Sequence, residues 1–167
     1  MKKKYYWIGG VALPEDFDNM VKIGNNQVAA NVTQLNYILG IEENINETIK
    51  IINVHFEPSF PKYKKLIIKR RLWIRNGVEN VDVGFLNVPL IKRIIKINKL
   101  RKEVKKIQIE DDTEYVFFTY ALTTPIVSII PYIKKKFGNK SYICQVVPDL
   151  PEFMEFGHQP LIKRILK

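Results

Sequence analysis

The chain has 167 residues, of which 46% are apolar and 11% aromatic, a mixture that excludes a disordered or collagen-like chain and is enough for one core but not two. A net charge of +10 points to an anionic partner, while the single cysteine, Cys144, excludes a disulfide framework and fits a reducing cytosol.

Lys2 to Lys4 and the apolar run 5–13 imitate a signal peptide, but Pro14, Glu15, Asp16 and Asp18 stand where a small-residue cleavage site is needed. The run reads instead as a central parallel strand running into Gly9-Gly10 and a polar loop. Asn25 or Asn26 can cap a helix carrying Val28, Val32, Leu35, Ile38 and Leu39, with Gly40 suited to its end. Residues 48–56 are rich in β-branched side chains and read as a second parallel strand, with His55 near its carboxyl end. Residues 66–75 and 78–87 flank Asn76-Gly77, the signature of a hairpin closed by a type I′ turn.

Pro89 opens a long helix with an apolar stripe of Leu90, Ile94, Ile97, Leu100, Val104 and Ile107. Its other faces carry Lys92, Arg93, Lys96, Lys99, Arg101, Lys102, Lys105 and Lys106. Residues 115–120 form another buried strand, and Thr124 can cap a helix begun by Pro125 and running to Gly138. Residues 141–147 form a further strand in which Cys144 reads as a core thiol. After a loop at 149–156, Gln159-Pro160 starts a last helix still periodic at Lys167, which implies a continuation of the chain. No run approaches the ~18 apolar residues of a spanning helix, so membrane contact is expected to be peripheral.

Strands alternating with helices predict an α/β, Rossmann-like three-layer domain over residues 1–167, with a mainly parallel sheet and an inserted β-hairpin. Its ligand crevice should lie beyond the carboxyl ends of the strands. No G-x-G-x-x-G fingerprint, Walker A sequence or G-x-S-x-G elbow occurs. Gly9 and Gly10 serve either close packing or backbone access to a ligand. His55 and His158 are the two histidines able to act near neutral pH, against the plainer reading of partly buried structural residues. Asp149 and Glu152 follow a strand end, where carboxylates bond hydroxyls or shape a proline-rich turn.

Residues 62–106 hold fifteen Lys or Arg and three acids, a local charge of +12. The basic helix is either a solvated face, a docking face for anionic lipid, or a nucleic-acid surface. The aromatic interleaving of single-strand binders is missing, so nucleic acid is not expected as a partner.

Residues Trp7-Ile8-Gly9-Gly10, the loop to Asn25-Asn26, residues 85–89, the turn from Tyr120 to Pro125 and above all Val147-Pro148-Asp149-Leu150-Pro151-Glu152-Phe153-Met154 carry a resemblance. Together they resemble the amino-terminal half of bacterial family 4 glycosyltransferases of the GT-B fold, of the capsule and exopolysaccharide type. The resemblance implies a retaining, metal-independent transfer from a nucleotide sugar to a lipid-linked or saccharide acceptor. It implies no cofactor, with the donor bound by a carboxyl-terminal domain that carries a Glu-x7-Glu motif not found in this sequence. These residues alone are then expected to be inactive. His55 and Asp149 become candidate catalytic or acceptor-contacting groups, and Gly9, Gly10, His55, Tyr120, Asp149 and Glu152 the expected acceptor-binding set. Lys92, Arg93, Lys96, Lys99, Lys102 and Lys106 become the expected contacts to an anionic membrane at the cytoplasmic face of the inner membrane. The alternative is a non-catalytic Rossmann-like module binding nucleic acid through its basic face.

Overall fold

The computed structural model describes residues 2–13, 16, 17, 22 and 28–148. In chain order the elements are β1 (Lys2–Gly9), α1 (Val28–Ile45), β2 (Lys50–Asn53), β3 (Ile67–Ile68), β4 (Arg71–Arg75), β5 (Val78–Asp82), β6 (Phe85–Leu86), α2 (Ile91–Lys105), β7 (Thr113–Tyr120), α3 (Thr124–Phe137) and β8 (Ser141–Val146). The main sheet has the order β4-β5-β2-β1-β7-β8 and is parallel except at β4, which runs antiparallel on β5. This is the expected Rossmann-like α/β domain.

The two-residue period of the strands sorts side chains onto the two faces of the sheet. Tyr6, Ile8, Ile52, Val54, Tyr115 and Phe117 pack against Leu100 and Val104 of α2 and Ile126, Ile129 and Ile133 of α3. Trp7, Ile49, Ile51 and Tyr120 face the other way, toward Ile38 of α1. Lys136 of α3 donates to the carbonyls of Val104 (2.9 Å) and Ile107 (2.6 Å), satisfying acceptors left open at the end of α2.

Asn76 and Gly77 both have positive φ, 49° and 78°, as the type I′ turn requires. The hairpin is nevertheless not one continuous ladder. A Cβ on Gly84 would stand 2.4 Å from the Arg70 backbone nitrogen, and past this crossing β3 and β6 form a separate antiparallel pair. Strand β5 also lies parallel beside β2, so the hairpin builds one edge of the main sheet.

Four expectations require correction. Thr124 is already helical, and Thr123 occupies the N-cap position of α3. Helix α1 does not stop at Gly40 but runs to Ile45, and Asn46, at φ 54°, takes the left-handed terminal position. The inward row of α2 contains Lys96, Leu100 and Val104, while Leu90 and Ile94 are 94% and 61% exposed, so the predicted stripe fails over the first turns. Cys144 is exposed on the edge strand β8 and is not a core thiol.

Candidate functional site

The chain leaving β1 at the carboxyl edge of the sheet is held by three buried side-chain amides. Gln34 accepts from the Gly10 N–H (2.9 Å) and donates to its carbonyl (3.0 Å). Asn53 does the same for Val11 (2.8 and 2.6 Å), and Asn31 for Ala12 (2.7 and 3.3 Å). A buried peptide without such partners is costly, which explains why polar residues occupy the inner face of α1. A Cβ would stand 2.3 Å from Gln34 Oε1 at Gly9 and 2.3 Å from the Phe56 ring at Gly10. The two glycines therefore allow close packing, and the N–H groups of residues 10–12 point into the protein.

Beyond β2 the chain turns outward through His55 and Glu57. Because β5 lies in parallel register beside β2, with Asn53 opposite Asp82, the end of β5 delivers an acid next to the histidine. His55 Nε2 lies 3.5 Å from Asp82 Oδ2 and Nδ1 lies 3.4 Å from Glu57 Oε1. Asp82 also accepts from Asn53 (2.9 Å), Trp73 Nε1 (2.9 Å) and Arg71 Nε (2.8 Å), and Arg71 reaches on to Asp16. Burial is the largest influence on His55 and opposes its charged form, as does Lys96. The hydrogen bond to Asp82 and the charges of Glu57 and Asp82 outweigh them and raise its pKa above 6.5. Burial likewise opposes ionisation of Asp82, but His55, Asn53 and Trp73 pull its pKa down to about 2. The imidazole thus stands between two acidic side chains that favour its protonated form, at the edge of a cavity of about 360 Å³ that Tyr63 and Arg71 also line.

A second cavity, of about 480 Å³, adjoins the first across Glu57 and lies between the starts of α2 and α3. Lys92 and Lys96 enter it, donating to the carbonyls of Glu57 and His55, and the Lys96 ammonium lies 4.1 Å from the centre of the Phe85 ring. Desolvation lowers the pKa of Lys92 and brings that of Lys96 down to about 8; Glu57 opposes the shift in both, and Lys92 adds to it in Lys96. A hollow of about 320 Å³ elsewhere, lined by Lys4, Arg70, Glu103, Lys106 and Glu110, has its charges engaged in the pairs Arg70–Glu103, Lys106–Glu103 and Lys4–Glu110.

No family model, no curated protein and no solved structure matches the chain.

Of the residues singled out from the sequence, His55 lies at the cavity edge and Gly9 and Gly10 form the packed strand end beside it. Tyr120 is buried in the core on the α1 face, 6.1 Å from Trp7 between ring centres, and lines neither cavity. Asp149, Glu152 and His158 lie outside the described residues. Among the expected membrane contacts, Arg93, Lys99, Lys102 and Lys106 are exposed, whereas Lys96 is buried and Lys92 half-buried. Lys106 is also paired with Glu103 at 2.8 Å.

Glu57, Asp82, Arg71 and the cavity-lining Thr123 were not legible as site residues, and Lys96 was singled out only as a membrane contact. Asp82 closes a strand of mixed polarity just before Gly84, and its partner is set by strand pairing, 27 residues from His55. Among the described residues no group of three or more His, Cys, Asp and Glu is disposed to hold a metal ion.

Proposed function

We propose that this chain is the acceptor-binding half of a retaining glycosyltransferase, which moves a sugar from a nucleotide-sugar donor to a lipid-linked or saccharide acceptor in cell-surface polysaccharide synthesis. The observation that carries the reading is His55 held between Glu57 and Asp82 on a cavity at the carboxyl edge of a Rossmann-like sheet, where such folds bind their ligands. Charged donors and acceptors set side by side suit a polyhydroxylated ligand, whose hydroxyls both give and take hydrogen bonds. The donor nucleotide is assigned to a carboxyl-terminal domain, and the outward basic residues of α2 to an anionic membrane at the cytoplasmic face. Among the described residues no helix is long and apolar enough to cross a membrane.

Saturation-transfer NMR of the 167-residue chain with neutral oligosaccharides tests this. Transfer to the sugar protons is expected, falling at least 5-fold in His55→Ala. No transfer from the wild-type chain, together with salt-sensitive retention on DNA or RNA, would replace it with a nucleic-acid-binding module.

A further inference from the structure

We infer that the cavity between α2 and α3 binds a phosphoryl group bearing neighbouring hydroxyls, the chemistry of a sugar phosphate or a phosphoglycerol headgroup. This deepens the acceptor reading and rests on it for the sugar; the phosphate contact has its own observations.

The first is charge. Lys92, Arg93 and Lys96 line the cavity against one carboxylate, Glu57, leaving two surplus positive charges to match a phosphate dianion. Lys92 and Lys96 have lost solvent and repel one another, so a bound anion would restore what burial removed.

The second is the unfinished start of α3, which receives no side-chain cap at its N-terminus and has no acid in its first turn, whereas at α2 the N–H groups of Ile91 and Lys92 already donate to the carbonyls of Pro89 and Val88. Thr123 occupies the N-cap position of α3 with extended backbone (φ −73°, ψ 145°), the conformation in which threonine ordinarily caps a helix. Its hydroxyl caps nothing; Oγ1 is buried, has no hydrogen-bond partner, and belongs to a residue that lines the cavity. Open N–H groups at a helix start favour an anion.

The third observation fixes the hydroxyl. The Glu57 side chain is 3% exposed. One oxygen faces His55, and the other, Oε2, has no partner although the residue lines both cavities. A buried carboxylate oxygen repels phosphate but accepts from an O–H, so a phosphoryl group on the lysine side with a hydroxyl on the Glu57 side satisfies both.

The test is calorimetric titration of the 167-residue chain at low ionic strength with glucose, glucose 1-phosphate and inorganic phosphate. The sugar phosphate is expected to bind at least 10-fold more tightly than glucose, with inorganic phosphate competing. The double variant Lys92→Gln/Arg93→Gln should abolish that advantage, and Thr123→Val should reduce it about 3-fold. Lys92 is half-buried and Arg93 exposed, and an unchanged melting curve establishes that the double variant is folded. If it melts early, Arg93→Gln alone replaces it, with a 3-fold loss expected. No advantage for the phosphate, or an advantage the folded variants keep, overturns the inference. Phosphate binding without any oligosaccharide binding supports this site and sinks the acceptor reading alone. The converse sinks only the phosphate site. Retention on phosphatidylglycerol vesicles beyond that on equally charged phosphatidylserine vesicles, removed by glucose 1-phosphate, identifies a lipid headgroup as the source, and equal retention on the two identifies a soluble phosphate.

Discussion

Both ring nitrogens of His55 face a carboxylate, which raises its pKa, and the consequence is a defined pH dependence. Its folded-state pKa lies above 6.5, so its contribution to stability is complete below 6.5 and is lost as pH rises through the raised value. Asp82 acts at the other end. Its pKa falls from 3.8 to about 2, so its contribution is complete above 3.8 and is lost as pH falls toward 2. Lys96 has the opposite sign to His55: its pKa is depressed to about 8, so stability is regained as pH rises from 8 toward 10.5. Thermal melts from pH 3 to pH 10 should therefore show an optimum on the acid side of neutrality, followed by a decline that His55→Gln removes. Asp82→Asn places an amide against donors from Asn53, Trp73 and Arg71 and is expected to cost about 2–3 kcal/mol. A decline unchanged in His55→Gln would show that His55 is not the group titrating. His55 could be placed at a strand end from its own neighbours in sequence. Its partner Asp82 could not, because their contact exists only once β5 lies beside β2.

At the level of elements, α1 and α2 depart from their apolar periodicity in the same place and for the same reason. Each starts at the carboxyl edge of the sheet, where the chain leaving a parallel strand has backbone groups that need partners. Helix α1 supplies Asn31 and Gln34, and α2 supplies Lys92 and Lys96, with ordinary apolar packing resuming at Ile38 and at Leu100. The alternation of strands and helices, the turn at Asn76-Gly77 and α3 follow from hydrophobic pattern and turn chemistry, and these were legible. The rotation of the two helices was not, since a rule that turns apolar side chains inward cannot register a strand end that needs hydrogen bonds. Gln34→Leu tests the point. It keeps the approximate volume but leaves the N–H and carbonyl of Gly10 without their present partners, and should lower stability by about 2–4 kcal/mol in denaturant unfolding. An exposed substitution on the same helix, Val32→Thr, should change it by less than about 0.5 kcal/mol. Equal effects would mean that the amide contacts contribute nothing particular.

Over the whole molecule, the positive charge and the exposed apolar side chains meet on the outer side of α2. Residues 62–106 carry +12 while the rest of the chain sums to −2. The inward turn of Lys92 and Lys96 leaves Leu90, Ile91 and Ile94 facing solvent at the start of the helix, with Arg101, Lys102 and Lys105 exposed farther along. At 100° per residue, Ile91, Ile94, Lys102 and Lys105 share the side opposite Leu100 and Val104. Apolar groups that insert, backed by cations that stay at headgroup level, are what a surface-bound helix requires. Each such cation contributes about 1 kcal/mol near an anionic bilayer, roughly a fivefold change in partitioning. In sedimentation with phosphatidylglycerol-containing vesicles, Lys102→Gln/Lys105→Gln should reduce binding by more than 10-fold, an effect that added salt weakens. Leu90→Glu/Ile94→Glu should reduce it as much with little influence on the melting temperature, because both side chains are already exposed. Equal retention on neutral phosphatidylcholine, or retention unaffected by either pair, would remove the membrane from the account and leave α2 with a solvated outer face.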